Sequence, residues 1–402
     1  MAEMTDVFFV DGMRTPFGRA GEKGMYWNTR ADDLVVKAII GLMERNGDVP
    51  KDRIDDVAIA ATSQTGDQGL TLGRTAAILA GLPMTVPGFA VERMCAGAMT
   101  SVTTMGASIG VGMYDLALAG GVEHMGRHPI GAGADPNPRF VAEKLVDPGA
   151  LNMGVTAERI HDRFPHLTKD RADRFGVASQ HKVQAAYEAG KIQPDLVSVA
   201  VKNAEGAWGL ATEDEGRRPE TTLEGLATLK TPFRPHGRVT AATSSPLTDG
   251  ATISLLAGSG AVKELGLTPK MRMVSFAFAG VEPEIMGIGP IPSTEKALKK
   301  AGLTIDDIGL FELNEAFAIQ VISLLDHFGI ADDDPRVNPW GGAIALGHPL
   351  AASGVRLMIQ LAAQFAERPD VRYGLTAMCV GLGQGGSVIW ENPFFDGKKK
   401  RK

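Results

Sequence analysis

From Cys95 to Gly110 the chain reads Cys-Ala-Gly-Ala-Met-Thr-Ser-Val-Thr-Thr-Met-Gly-Ala-Ser-Ile-Gly, with no charged residue in the run. As a helix, Cys95 to Ile109 has no polar face beyond hydroxyls, so it has to be buried on all sides. Its glycines and alanines call for a neighbouring backbone packed very close. Cys95, at the first turn, stands where unpaired N–H groups and the helix dipole favour an anion, which predicts a lowered thiol pKa. The alternative is a small buried hydrophobe, the ordinary state of a free cysteine. The helix alone does not choose between them.

Strand-like and helical runs alternate around this segment, which points to an α/β architecture. Asp6 to Asp11 and Asp55 to Ala60 read as strands, Ala31 to Asn46 and Leu72 to Ala80 as helices, and Asp115 to Gly121 as a buried strand. From about Met125 to Arg238 the texture shifts to proline, charge and short helices, an elaboration on the core. Arg171 to Gly190 is a clear helix there, with Phe175, Ala178, Val183 and Ala186 on its apolar face. Core texture returns with the buried strand at Asp249 to Leu256. The last third repeats the first in order. Arg53-Ile-Asp-Asp-Val57 is echoed by Thr304-Ile-Asp-Asp-Ile308 before a strand at Gly309 to Leu313. The Cys95 helix is echoed by Pro349 to Met358, and Tyr114 to Gly121 by Tyr373 to Gly381. A duplicated, pseudo-twofold core would bring the Cys95, His348 and Cys379 regions together near its axis.

With 402 residues the chain suggests two or three domains. A net charge of −6 and a pI near 5.8 argue against nucleic acid as partner. The two cysteines offer neither a disulfide framework nor zinc spacing, as expected in a reducing cytoplasm. The first ten residues lack the pattern of a signal peptide, and no apolar run approaches a membrane span. Gly397 to Lys402 is a basic run, read as a solvated tail.

His348, in Gly341-Gly-Ala-Ile-Ala-Leu-Gly-His-Pro349, is held between glycine and proline at the mouth of the second small-residue helix. Alone it is an ordinary turn histidine; beside a cysteine nucleophile it could take the thiol proton. Cys379 precedes Gly381-Leu-Gly-Gln-Gly-Gly386, where a ligand or backbone can approach closely. It is either a buried filler or an acid/base matched to a thiol of similar pKa, such as that of CoA. A dinucleotide site would need a helix straight after these glycines, whereas Ser387 to Trp390 reads as a strand. Asn314, ending a strand in Asn314-Glu-Ala-Phe317, is either a helix cap or the holder of a water that donates to an oxyanion.

Taken together, Cys95 in its Arg-x-Cys-Ala-Gly setting, Gly120-Gly-Val-Glu-His-Met125, Met153-Gly-Val-Thr-Ala-Glu158, Asn314-Glu-Ala-Phe317, Gly347-His-Pro349 and Cys379-Val-Gly-Leu-Gly-Gln-Gly385 resemble the thiolase family. The match runs from about Arg14 to Trp390. Gly121 to Gly126, Asp135-Pro-Asn-Pro138, Thr243-Ser-Ser245 and the Gly381 to Gly385 ending are most similar to the degradative branch, the β subunits of bacterial fatty-acid oxidation complexes.

The resemblance implies an α/β fold, a five-layer αβαβα core of two similar halves. Residues 1–120 with 241–270 would form one half and 271–392 the other. Residues 121–240 would be an inserted loop domain over the CoA, and 393–402 a basic tail. It also implies a nucleophile at Cys95, an activating base at His348 and an acid/base at Cys379. One oxyanion hole would use His348 and a water on Asn314, the other the backbone N–H groups of Cys95 and Gly381. Met153, Arg218, Ala241, Ser245, Leu247, Ala316 and Phe317 would line the CoA path, with Arg218 forking onto phosphate or adenine. Ala351 and Ala242 replace glycines common in the family, and Pro246 stands where smaller or polar residues are usual; these narrow the tunnel or shift substrate preference without removing a reacting group.

The implied chemistry is a two-step reverse Claisen cleavage of 3-ketoacyl-CoA by CoA through an acyl-Cys95, with CoA as co-substrate and no tightly bound cofactor or metal. Other readings are a biosynthetic acetoacetyl-CoA thiolase and an inactive lipid carrier on the same scaffold. Implied partners are a second copy of the chain, as a dimer or dimer of dimers, and an α subunit carrying hydratase and dehydrogenase activities, all in the cytoplasm.

Overall fold

The computed structural model describes residues 4–202 and 206–397. Its strands are β1 (Val7–Arg14), β2 (Gly18–Arg19), β3 (Asp56–Ala60), β4 (Phe89–Val91), β5 (Leu116–His124), β6 (Val199–Lys202), β7 (Trp208–Ala211), β8 (Thr248–Gly258), β9 (Met271–Gly280), β10 (Ile308–Leu313), β11 (Tyr373–Val380) and β12 (Gln384–Glu391). Ten belong to one hydrogen-bonded path, in the order β10-β11-β12-β9-β1-β8-β5-β3-β4 with β2 beside β8.

The path divides into two copies of one pattern. In the first half β4 and β3 are parallel, β3 and β5 parallel, and β5, β8 and β1 antiparallel in turn. In the second, β10 and β11 are parallel, then β11, β12 and β9 antiparallel. A parallel bridge from Phe311 to Val337 stands where β4 stands in the first copy. The halves join at β1 and β9, through the pairs Phe8–Arg272 and Phe9–Met271. The sequence echoes fall on equivalent places: short 3-10 turns at Lys51–Arg53 and Ile305–Asp307 precede β3 and β10.

Side-chain burial gives the layers. One apolar cluster packs the Ala31–Arg45 and Leu72–Leu79 helices on the outer face of the first half. A second packs the Pro290–Ala301 and Ala318–His327 helices against the other half. The third lies between the halves and holds the Gly97–Gly110 and Ser353–Glu367 helices, with Met99, Val102, Met358 and Phe365. This is the five-layer arrangement.

The two middle helices touch through glycine, as the small-residue content requires. A Cβ on Gly354 would lie 2.5 Å from the Met99 backbone N, and one on Gly97 only 2.9 Å from Ala351 Cβ. Trp390 of the second half packs edge-on against Phe9 of the first, with ring centroids 6.0 Å apart.

Between β5 and β8 the chain forms short helices and the β6–β7 hairpin, with one long helix, Lys169–Glu188. Its buried stripe runs through Ala172, Phe175, Gly176, Ser179, Gln180, Val183, Ala186 and Tyr187. Ala178, expected on this face, is exposed. Ser179 and Gln180 turn inward instead, because the core offers partners for their polar ends in Glu315 and the Ile344 carbonyl. β5 continues to His124, past the expected start of the insertion at residue 121. Of the basic tail, Lys398 to Lys402 lie outside the described residues.

Candidate active site

Cys95 sits on a 3-10 turn, Met94–Ala96, that feeds the Gly97–Gly110 helix, so it precedes the first α-helical turn. Met94 before it has a φ of +42°, in the left-handed region that a methionine adopts only under constraint. The constraint is visible: the Glu92 carboxylate accepts the Met94 N–H at 2.7 Å. The turn aims Cys95 into a cavity of about 900 Å³. His348 and Cys379 line the same cavity. Two thiols and an imidazole, far apart along the chain, therefore share one chamber.

Each arrives by a different route. Cys379 is near the end of β11 and has no exposed surface. His348 follows Gly347, whose φ is +104° and whose missing Cβ would lie 2.6 Å from the Thr248 side chain. Thr248 Oγ1 accepts the His348 backbone N–H at 3.1 Å, so glycine at 347 permits the contact that sets the histidine backbone. The His348 ring lies with Nδ1 2.5 Å from Ser353 Oγ, and Ser353 Oγ donates to the Pro349 carbonyl at 3.3 Å.

Asn314 directly follows β10, and the next helix begins only at Ala318 with Phe317 as its cap residue. The helix-cap reading is thereby excluded. Asn314 Nδ2 lies 3.3 and 3.4 Å from the two ring nitrogens of His348, and Oδ1 accepts from Arg356 Nη2 at 3.0 Å. Gly381 opens the turn between β11 and β12; its own backbone N–H and that of Cys95 both favour the anion of the Cys95 sulfur. A Cβ on Gly381 would meet Met94 Sδ at 2.5 Å. The glycine run leads straight into β12, antiparallel to β11, which leaves no place for a dinucleotide helix.

Electrostatics correct one expectation. Burial pushes the Cys95 thiol up to about 12, opposed by the Gly381 N–H and reinforced by the Glu123 carboxylate. A helix terminus is worth about 0.3–1 kcal/mol to an anion, and removing a charge from water costs several kcal/mol. Desolvation wins, and the lowered pKa expected for Cys95 is not found. Burial also raises Cys379 well above the ordinary thiol value, with Cys95 adding to it. Burial, followed by the nearby Arg356 charge, lowers His348 to about 3. The resting chamber thus contains two neutral thiols and a neutral imidazole.

The wall running outward from this chamber includes Met153, Arg218, Ala241, Ser245, Leu247, Ala316 and Phe317. Ala242 and Pro246 line it too. Ala351 lies beneath, fully buried, its N–H donating to Glu123 at 3.2 Å. The Arg218 backbone N–H is held by Gln180 at 2.8 Å.

Three residues of the site carried no singular mark in the sequence. Glu123 accepts from Thr62 N, Gln68 Nε2 and Ala351 N, and so ties β5 to the turn beneath His348. Glu315 takes Ser179 Oγ at 2.5 Å, Asn338 Nδ2 at 2.8 Å and Ile344 N at 3.1 Å, which shapes the loop leading to His348. Arg356 has no exposed surface and reaches Asn314 from the Ser353–Glu367 helix. Glu123 and Glu315 lie inside the motifs quoted above, which was the available signal; Arg356 had none. Among the described residues no group of His, Cys, Asp and Glu is arranged to hold a metal, and no helix is long and apolar enough to cross a membrane.

Comparison with known proteins agrees with this geometry. Residues 7–259 match the family model of the thiolase N-terminal domain and residues 267–392 that of the thiolase C-terminal domain. A protein of Idiomarina loihiensis called 3-ketoacyl-CoA thiolase is 43% identical over 390 residues, covering 96% of this chain and 100% of that protein. Proteins of the same name from Saccharophagus degradans and Photobacterium profundum are 43% and 42% identical, each over 96% of this chain and 98% and 100% of their own lengths. With a doubled α/β core, a cysteine–histidine–cysteine chamber at the junction of its halves, and both family models matched in order, the chain belongs to the thiolase family.

Proposed function

We propose that this protein is a 3-ketoacyl-CoA thiolase, cleaving 3-ketoacyl-CoA with CoA to acetyl-CoA and an acyl-CoA shortened by two carbons. The observation that carries the reading is the meeting of Cys95, Cys379 and a neutral His348 on one cavity. A neutral imidazole is a base, and a buried thiol needs one. With the Ser353 hydroxyl donating to Pro349, its oxygen accepts Nδ1–H, which leaves the Nε2 lone pair for the Cys95 proton.

In the first step Cys95 Sγ gives its proton to His348 and attacks C3 of the substrate. The C2–C3 bond then breaks, and acetyl-CoA leaves as an enolate that Cys379 protonates on carbon. In the second, CoA gives its thiol proton to Cys379 and its sulfur attacks the acyl-Cys95 thioester; Cys95 leaves and recovers its proton from His348. Negative charge appears on oxygen in both steps, so two donor sites are required. His348 with a water on Asn314 forms one, and the N–H groups of Cys95 and Gly381 form the other. Met153, Arg218, Ala241, Ser245, Leu247, Ala316 and Phe317 guide the CoA arm, with Arg218 at its phosphate or adenine end.

The same reading places residues 121–240 over the CoA as an inserted domain, between a half made of 1–120 with 241–270 and a half at 271–392. It also makes CoA a co-substrate instead of a resident cofactor, and the protein a cytoplasmic homo-oligomer that pairs with a hydratase/dehydrogenase α subunit.

The test is CoA-dependent cleavage of a series of 3-ketoacyl-CoA esters by purified protein, with and without that partner. Efficient turnover of long chains is expected; activity restricted to acetoacetyl-CoA would shift the reading to the biosynthetic branch. Cys95→Ser should abolish turnover and acyl labelling, whereas Cys379→Ser should still accept an acyl group. Full cleavage by Cys95→Ser protein would contradict the mechanism.

A further inference from the structure

Arg356 is a guanidinium with no access to water. Its Nη1 donates to Gln360 Oε1 at 2.8 Å and stands 3.6 Å from Glu312 Oε2, beyond hydrogen-bond distance. Its Nε and Glu312 Oε2 have no hydrogen-bond partner, and Gln364 Nε2 takes the other Glu312 oxygen at 2.7 Å. A buried ion pair this poorly matched is a weak source of stability, since desolvating each ion costs several kcal/mol and apolar residues usually replace such pairs at little loss. The remaining contact is the informative one: Nη2 donates to Asn314 Oδ1 at 3.0 Å.

An asparagine amide presents either a donor or an acceptor according to a half-turn about its last bond, and a guanidinium can only donate. With Oδ1 held by Arg356, Nδ2 must face the His348 ring, where it lies at 3.3 and 3.4 Å. Turned the other way, the amide would present its carbonyl oxygen, which takes one of the water's hydrogens and competes with the developing oxyanion for them. We propose that Arg356 is a positioning residue for the cleavage reaction, locking the Asn314 amide with its N–H toward the His348 side, where it holds the water that donates to the reacting oxygen, while touching no substrate itself. The inference rests on the thiolase reading of the site.

The charge has a second consequence. The groups around His348 are Asn314 just after β10, Ser353 and Arg356 on the Ser353–Glu367 helix, and the Cys95 and Cys379 thiols across the chamber. Glu312 and Glu315 lie behind Arg356, and Glu123 lies behind Cys95. Among these, Arg356 is the charge that disfavours imidazolium. It therefore helps to keep His348 able to accept a proton.

A double-substitution cycle tests the proposal. Arg356→Met, Arg356→Lys and Asn314→Ala are made singly, and each Arg356 change is combined with Asn314→Ala; kcat and KM for acetoacetyl-CoA cleavage are measured. Loss of one oxyanion donor typically lowers kcat on the order of 100-fold. Arg356→Met should approach that loss with KM within about threefold, and Arg356→Lys should lose less because an ammonium keeps a charged donor, though not the fork. In the Asn314→Ala background either change should cost less than about threefold more. Should Arg356→Met fail to fold, the lysine arm carries the same comparison. Fully additive losses, or an Arg356→Met enzyme with wild-type kcat, would overturn the proposal while leaving the thiolase reading intact. A wild-type protein that neither cleaves acetoacetyl-CoA nor forms acyl-Cys95 overturns that reading, and this inference with it.

Discussion

Cys95 in the resting protein is a protected thiol, and the reason is energetic. The N–H groups of Gly381 and Cys95 favour its anion, but enclosure outweighs them and raises it to about 12. Activation therefore has to be coupled to proton removal by His348 as the substrate arrives. In a cysteine–histidine pair that rests as thiolate–imidazolium, alkylation proceeds at a constant rate across neutral pH. Here the iodoacetamide rate at Cys95 should instead climb without a plateau from pH 6 to beyond 9; a level profile from pH 6 would mean a standing ion pair.

His348 makes a second prediction. Its folded value of about 3 lies below the ordinary 6.5. Between these values the unfolded chain binds the extra proton, so stability is complete above 6.5 and is lost as pH falls toward 3. Glu312, raised by burial to about 8, acts with the opposite sign between 4.5 and 8, so the whole-protein curve mixes the two. Comparison with His348→Asn isolates the histidine. From pH 6.5 to 5 the wild type should lose about 1.6 kcal/mol more than the variant by urea unfolding, and equal losses would show that the imidazole is not buried neutral.

Among the elements, the two middle helices set how close the halves come. The 2.5 Å between a Cβ on Gly354 and the Met99 backbone leaves a rigid neighbour with nowhere to go. Gly354→Val should therefore destabilise by about 1–3 kcal/mol through overpacking, seen as a lower urea midpoint, and should lower cleavage activity because Ser353 beside it positions His348. A variant with unchanged midpoint would mean that the helices can slide apart.

This contact was readable from composition, since only a glycine- and alanine-rich run fits between two cores. So were the strands: β5 and β8 are buried along their whole lengths, and Leu116 to Val122 of β5 has no polar side chain on either face. What the sequence could not convey is reciprocity. Ser179 reads as polar and Ala178 as apolar, yet the serine is buried because Glu315, over a hundred residues away, accepts its hydroxyl. Cys95 looks like an activated thiol from its place before a helix, and only the surrounding walls reveal the desolvation. Arg356 looks like a surface charge until its helix packs into the middle layer, where the end of β10 in the same half supplies Asn314.

At the scale of the whole molecule, the reacting groups are divided between the halves. Cys95 comes from the first copy of the pattern; Asn314, His348 and Cys379 come from the second. Among the described residues the strand ladder between copies is confined to Phe8 and Phe9 against Met271 and Arg272, with one isolated bridge from Ser244 to Phe317. Such a short seam would be a hinge if nothing else crossed it. The third apolar cluster does cross it, with Phe9, Val102 and Leu256 from one half against Met358, Phe365 and Trp390 from the other. Separating the halves would expose both middle helices, which are buried over most of their length, and buried apolar area at about 25 cal/mol per Å² makes that prohibitive.

The chain should therefore unfold as one unit despite its two matched domains. Trp390, fully buried against Phe9, is a reporter at the junction. In a variant that keeps only this tryptophan, fluorescence and far-ultraviolet circular dichroism should give coincident urea transitions. By the same argument, residues 1–266 and 267–402 produced separately should be inactive and should lack a cooperative transition, with cleavage regained only on co-refolding. A stable, cooperatively folding C-terminal half would show that the middle layer is dispensable to it. The site would then be an interface between two finished domains, not the product of a shared core.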